Sequence, residues 1–282
     1  MGFFSRIFGR KKTTTGRDLH RDRLILNVGI NQFIDSPENT LRGAVVDARE
    51  LRAEFEARRY LGAAPLILDT DATRHRIGEI LGNTCASMRP DDDLVITYSS
   101  HGAPTPHPDE PDGLVESLCC TDVISNYPGG SITAYDLARW FRLAPEGSRI
   151  LLVADVCHSG PKDVGLLRSL HLHYRKARAL ILPDGLQTGG SVRGLAASAS
   201  AIDVGWTRTA LLAACRWDQT AADTYEDGAY RGALSWGLLR ALRDGVGELD
   251  PIHGSIGRRL AGRYGQSPQL FAPRRLRDWS IG

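Results

Sequence analysis

The 282-residue chain contains no apolar run approaching the ~18 residues that carry a helix across a bilayer, which argues against a membrane span. It has little excess of either charge. Its 35 Lys and Arg face 33 Asp and Glu for a net +2, too weak a field for nucleic-acid binding as a main role. It is sparing with cysteine. The five present (Cys85, Cys119, Cys120, Cys157, Cys215) are an odd number without zinc-type spacing, which speaks against a structural metal site or a disulfide framework. No secretory leader is evident, so the expected compartment is reducing and cytoplasmic.

What remains is an ordinary globular composition, 42% hydrophobic and 24% charged, with length for one large α/β domain or two small ones. Residues 1–22 read as a flexible tail. Phe3, Phe4, Ile7 and Phe8 give it an apolar face beside a basic one, but so short a segment is a poor membrane anchor, and membrane contact is a minor reading.

The most informative stretch is Arg149-Ile150-Leu151-Leu152-Val153-Ala154-Asp155-Val156-Cys157-His158-Ser159-Gly160. Its apolar run reads as a strand of a parallel sheet buried on both faces. Its small, polar tip falls at the carboxyl edge, where open α/β sheets carry reactive groups. Most free cysteines are small core hydrophobes, but a cysteine at such a tip is placed to act as a thiolate nucleophile. Leu94-Val95-Ile96-Thr97-Tyr98-Ser99-Ser100-His101-Gly102 repeats the design with a histidine. If the two tips are neighbours, the His101 imidazole can take the thiol proton of Cys157. His158 is the rival base, but adjacent residues on a strand-like segment face opposite ways, which favours His101.

Around these tips the pattern alternates strand and helix. Strands are predicted at Leu24–Ile30, Pro65–Leu68 and 94–99, and helices over Thr40–Arg59, from an N-cap at Thr73, and over Thr133–Leu143. Gly102–Gly130 reads as one long loop rich in Pro, Asp and Gly. The segment 161–194 reads as a mobile linker. Beyond it come a strand at Ala210–Cys215, a loop over Arg216–Tyr230, helices at Arg231–Leu242 and about 252–263, and an apolar element at Leu270-Phe271. The alternation predicts an α/β fold: a mostly parallel sheet of about six strands with helices on both faces.

These motifs resemble the caspase-like cysteine peptidases, specifically the metacaspases and their bacterial relatives. The matching residues are Tyr98-Ser99-Ser100-His101-Gly102, Asp155-Val156-Cys157-His158-Ser159-Gly160, Asn27-Val28-Gly29-Ile30-Asn31, Leu41-Arg42-Gly43-Ala44-Val45-Val46-Asp47-Ala48, and Asp109-Glu110-Pro111-Asp112-Gly113. Caspases place the histidine about 50 residues before the cysteine, close to the separation of His101 and Cys157. The chain departs from the family at Ser100, where glycine is usual, and at Ala44 and Val46, where Cys and Asn are common. The resemblance covers residue 23 to at least 243. It implies a caspase-like domain with a large part (23–160), the linker (161–194) and a small part (195–282).

The expected activity is a cysteine endopeptidase, with Cys157 as nucleophile, His101 as proton carrier, and the N–H groups of Gly102 and Cys157 as oxyanion donors. An arginine or lysine side chain is best held by carboxylates, and Asp155, two residues before Cys157, lies on the same side of its strand. The resemblance implies that Asp155, Asp47 and Ser99 line a pocket for a basic residue before the scissile bond. Asp218 and Asp223 are secondary candidates. Asp47 also reads as a solvent-exposed helix acid.

Many metacaspases need calcium. Asp109, Asp112, Glu116 and Asp122 offer hard oxygen ligands, although their spacing fits no EF-hand and reads more simply as an acidic solvated loop. Arg168, Arg175, Lys176 and Arg178 make the linker a candidate for self-cleavage. Competing readings are a catalytically silent adaptor with a caspase fold and another α/β thiol enzyme such as an amidase.

Overall fold

A computed structural model describes residues 21–108, 114–126, 129–156, 176–177, 208–216 and 219–282. The central sheet is built on β1 (Arg23–Gly29), β4 (Asp93–Ser99), β8 (Arg149–Asp155) and β10 (Thr209–Ala213), all parallel. Two short strands, β2 (Leu61–Gly62) and β3 (Ile67–Leu68), also pair with β1. At the opposite edge β13 (Gln269–Phe271) runs antiparallel to β10. Among the described residues the sheet thus has seven strands, the six-strand path β13-β10-β8-β4-β1-β2 plus β3. The parts before and after the 161–194 segment contribute to one sheet.

Burial on both faces explains the near-continuous apolar runs. Leu26, Ile96 and Leu152 point to one side. There they meet Ile77, Ile80 and Leu81 of α2 (Arg74–Ser87) and Leu137 and Phe141 of α3 (Ala134–Phe141). Ile25, Val95, Leu151 and Val153 point to the other. Their partners are Leu51 and Phe55 of α1 (Ala44–Ala57), Leu234 and Leu238 of α4 (Ala233–Arg243), and Ile252 and Ile256 of α5 (Leu249–Leu260). Truncating a fully buried strand leucine such as Leu152 to alanine would cost about 2–5 kcal/mol. A short α6 (Arg274–Arg277) follows β13.

Helix starts follow their caps. Thr73 accepts from the Arg76 N–H at 3.3 Å, as its N-cap position predicts. Thr133 and Asp136 form a reciprocal capping box at α3. The first helix begins at Ala44 rather than at Thr40. Leu41 is buried but not helical, because the Arg42 N–H is drawn to Asp223 Oδ2 (3.0 Å) and the Leu41 N–H to the Asn31 carbonyl (2.8 Å).

Two predicted loops are structured. Within 102–130 the chain forms β5 (Gly102–Pro106) and β6 (Leu114–Cys119), which with β7 (Ser131–Thr133) make an antiparallel sheet of three strands. Residues 115–119 are all buried, so the strand has no polar face to advertise it. The predicted loop over Arg216–Tyr230 holds a hairpin of β11 (Ala222–Glu226) and β12 (Ala229–Gly232). Its turn residues, Asp227 and Gly228, both have positive φ (53° and 81°), as a type I′ turn demands. From the predicted linker, Lys176–Ala177 forms β9, antiparallel to β11 with Lys176 opposite Asp223. The rest of that segment and the tail 1–20 lie outside the described residues.

Candidate active site

The site grows from the carboxyl ends of β4 and β8. In the ladder between them Ser99 stands opposite Asp155, and the Ser100 N–H donates to the Asp155 carbonyl at 3.4 Å. Beyond Ser99 the chain turns inward. Ser100 Oγ and Tyr98 Oη both donate to the Cys119 carbonyl at 2.9 Å, tying the end of β4 to β6.

His101 is only 1% exposed. Its Nε2 lies 2.6 Å from the Asn39 carbonyl oxygen, which can only accept, so Nε2 carries a proton and Nδ1 is the basic nitrogen of the neutral ring. Phe33 packs against the imidazole with ring centroids 5.0 Å apart. Asn39 closes a single 3-10 turn, Pro37–Asn39, and nothing in its sequence context marked it as a partner of the histidine.

The Cys119 N–H donates to the His101 carbonyl at 3.0 Å. The next pair along the ladder, Gly102 and Leu118, is then the non-hydrogen-bonded kind, and the Gly102 N–H points away from β6.

Cys157 follows Val156 directly in sequence, but it and His158 lie outside the described residues. The other four cysteines are described and not disulfide-bonded. Burial pushes the Cys85 thiol up to about 12 and raises Cys119 and Cys120 strongly, so all three are inert hydrophobes at neutral pH. Half-buried Cys215 donates from Sγ to the Gln219 carbonyl at 3.4 Å.

Three acids gather on the α1/α4 side of this edge. Asp47, read as a pocket acid with a solvent-exposed helix acid as the alternative, is 2% exposed. Its Oδ2 accepts from Ser99 Oγ at 2.7 Å and from the Gly232 N–H at 2.9 Å. Asp155 is 1% exposed and accepts the Ser235 N–H at 2.8 Å. Gly232 is the N-cap of α4 and Ser235 lies in its first turn, so both carboxylates sit at the positive end of that helix. Asp223 on β11 is fully buried and accepts the Arg42 N–H.

Gly43 makes this approach feasible. A Cβ there would stand 2.4 Å from Asp223 Oδ1 and 2.6 Å from the Arg231 Cα. The structure therefore brings together Asp47, Ser99 and Asp155 and places Asp223 opposite Gly232, whose N–H Asp47 accepts, while Asp218 lies outside the described residues. The Asp227-Gly228 dipeptide was the signal that could have placed Asp223 on a hairpin.

The calcium candidates fare differently. Asp122 Oδ1 accepts the Arg74 N–H at 3.0 Å at the start of α2, and Glu116 is buried within β6. Asp109 and Asp112 lie outside the described residues. Among the described residues no three Asp, Glu, His or Cys side chains cluster as a metal site. No helix among them is long and apolar enough to cross a membrane.

Comparison with known proteins agrees with this architecture. Residues 23–162 match the family model of the metacaspase peptidase C14 domain. Metacaspase-1B of Neosartorya fischeri is 28% identical over 294 residues, covering 91% of this chain and 70% of the relative. Metacaspase-1B of Aspergillus terreus is 29% identical over 285 residues, covering 88% and 74%. Among solved structures, a Geobacter sulfurreducens protein superposes with a TM-score of 0.67 at 22% identity over 93% of this chain and 98% of that one. Caspase-1 of Spodoptera frugiperda superposes with 0.58 at 11% identity, covering 93% of each. The fold is thus that of the caspases, and the comparisons support a caspase-like cysteine peptidase of metacaspase type.

Proposed function

We propose that this cysteine peptidase cleaves protein and peptide substrates after Arg or Lys, with Cys157 as nucleophile and His101 as the proton carrier. The observation that carries the reading is the 2.6 Å contact between His101 Nε2 and the Asn39 carbonyl. It holds one protonation site occupied and leaves Nδ1 as the base, on a residue held at the end of the strand next to β8.

In the first half-reaction Nδ1 takes the Cys157 proton and the thiolate attacks the scissile carbonyl carbon. The oxyanion is received by the N–H groups of Gly102 and Cys157. The imidazolium then protonates the departing amine, leaving a thioester. Water, deprotonated by Nδ1, attacks the thioester, and the thiol leaves with the proton returned. No step uses calcium.

The basic preference rests on Asp47, Asp155 and Asp223, three buried carboxylates on one side of the strand ends, with Ser99 between the first two. A guanidinium entering beside them would exchange its water for charge-assisted hydrogen bonds. Self-cleavage in 161–194 and action in the cytoplasm belong to the same reading. Of the four basic residues offered for self-cleavage, Lys176 lies in the ladder of β9 with β11, and Arg168, Arg175 and Arg178 fall outside the described residues.

The test is a panel of fluorogenic Arg, Lys and Asp peptides with wild type, Cys157→Ala and His101→Ala. Cleavage after Arg and Lys is expected in wild type, lost in Cys157→Ala and reduced on the order of 10^3-fold in His101→Ala. A preference for Asp peptides, or turnover that survives loss of Cys157, would overturn the proposal.

A further inference from the structure

The contact that orients His101 is made by a backbone carbonyl, and a carbonyl is held only as firmly as its loop. Residues 30–43 contain a single turn of 3-10 helix and otherwise no regular structure. The middle of the loop is tied to Thr121 and Ser125, and its two ends are clasped by two side chains outside the dyad and outside the acid pocket.

At the start of the loop the N–H groups of Asn31 and Gln32 both donate to Asp69 Oδ1, at 2.7 and 3.0 Å. Asp69 opens the 3-10 turn after β3 and holds a left-handed φ of 45°, a conformation that carries strain for a non-glycine residue. At the end of the loop the Leu41 N–H returns to the Asn31 carbonyl at 2.8 Å. The Asn31 side chain then reaches across. Its Oδ1 accepts the Ala44 N–H at 2.9 Å and the Val45 N–H at 3.4 Å, serving the first turn of α1, whose own N-cap Gly43 has no side chain to offer.

We infer that Asp69 and Asn31 are positioning residues for the reaction. Asp69 sets the loop that aims the Asn39 carbonyl at His101. Asn31 does this too, and in addition sets the start of α1 and with it Asp47, whose N–H bonds back to the Gly43 carbonyl at 2.9 Å. The inference rests on the reading of His101 as the catalytic base and Asp47 as a pocket acid. The two residues then differ in their kinetic signature. Loosening Asp69 leaves the Asn31 side chain on α1 and acts chiefly on the base and on kcat, whereas loosening Asn31 disturbs base and pocket together and acts on kcat and KM.

The experiment measures kcat and KM on an Arg peptide for wild type, Asp69→Ala, Asp69→Asn, Asn31→Ala and Asn31→Asp, beside Cys157→Ala. Rates are taken per folded molecule, with the folded fraction from thermal melts. Asp69→Ala is expected to lower kcat about 10- to 100-fold, as an ångström-scale displacement of the base would, with KM within about twofold. Asp69→Asn keeps Oδ1 as an acceptor and recovers most of the rate. Asn31→Ala is expected to lower kcat comparably and raise KM several-fold, and Asn31→Asp, which keeps the acceptor toward α1, recovers KM. Wild-type kcat per folded molecule in Asp69→Ala, or a loss equal to its unfolded fraction, overturns the inference while leaving the proposed function standing. If Asp69→Ala does not fold, a kcat in Asn31→Ala equal to wild type overturns it instead. Absence of any Cys157-dependent cleavage after Arg in wild type removes the underlying reading and the inference with it.

Discussion

At the amino end of the central sheet, Asp93 of β4 meets the Arg149 guanidinium in a two-pronged ion pair, both contacts 2.7 Å, and Arg149 stacks over Trp279 with its Cζ 4.6 Å from the ring centroid. At the carboxyl end of β8, Asp155 meets the Ser235 N–H, and beside it Asp47 meets the Gly232 N–H and a serine hydroxyl. All three carboxylates are 2% exposed or less, so burial does not separate them. Their partners do. A guanidinium cancels the charge of Asp93, and the pair is complete as folded. An N–H or a hydroxyl stabilises a carboxylate without neutralising it, and such groups are among the contacts of the acids at the other end. The same residue type is tied to a guanidinium at one end of the sheet and to the start of a helix at the other.

The largest expected effect comes from removing a charge at the open end. Asp155→Ala is expected to lower kcat/KM on Arg peptides by on the order of 10^2- to 10^3-fold, because a buried guanidinium loses its partner. Its thermal stability falls by only about 1 kcal/mol, the worth of a helix cap. Equal loss on Arg and on neutral peptides would break the comparison. At the closed end the order reverses. Asp93→Ala, which strands Arg149, is expected to cost about 3–5 kcal/mol in denaturant unfolding while kcat/KM per folded molecule stays within about twofold. Replacing both partners, as Asp93→Leu with Arg149→Met, sharpens the point by restoring most of that stability, since a matched ion pair exchanges well for apolar packing.

A smaller effect is expected from Asp47→Asn, which keeps an acceptor for Ser99 and Gly232 but gives up the charge. KM for Arg peptides is expected to rise about tenfold, with kcat little changed. The smallest concerns the buried thiols. Burial holds Cys85 at about 12 against an ordinary 9.0, so the folded state keeps this proton more tightly than the unfolded state does. That contribution is complete below pH 9 and is lost as pH rises through 12. Melting temperature is expected to fall more steeply above pH 9 in wild type than in Cys85→Ala.

Much of this molecule was legible in its sequence, and the failures are instructive. The parallel strands declared themselves because burial on both faces writes an unbroken apolar run, as in Ile150–Ala154. His101 and Asp155 stood at the ends of such runs, whereas Asp47, within a helix, was singled out only by the family resemblance. The β5–β6 strands stayed hidden because burial of every residue in 115–119 erases the alternation that marks an antiparallel strand, and flanking Pro, Asp and Gly residues suggested a loop. The β11–β12 hairpin was readable from Asp227-Gly228, a dipeptide suited to tight turns, and Asp223 would have been placed with it. Asn39 was beyond reach in principle. It contributes a carbonyl that every residue has, and only the path of the loop directs that carbonyl toward an imidazole.

The neighbour of β8 on its far side is β10, a strand from beyond the 161–194 segment, joined to it in a parallel ladder of five register pairs and flanked in turn by β13. Asp155 reaching Ser235 and Asp47 reaching Gly232 add two more ties across the same divide. A cut in the intervening segment would therefore divide the polypeptide without dividing the molecule. The two fragments would be halves of one hydrophobic core, each lacking a face without the other. They would copurify as a heterodimer, and fragments produced separately would find each other by completing a sheet. The contacts of Asp47 with Gly232 and of Asp155 with Ser235 join the two fragments and would hold after such a cut.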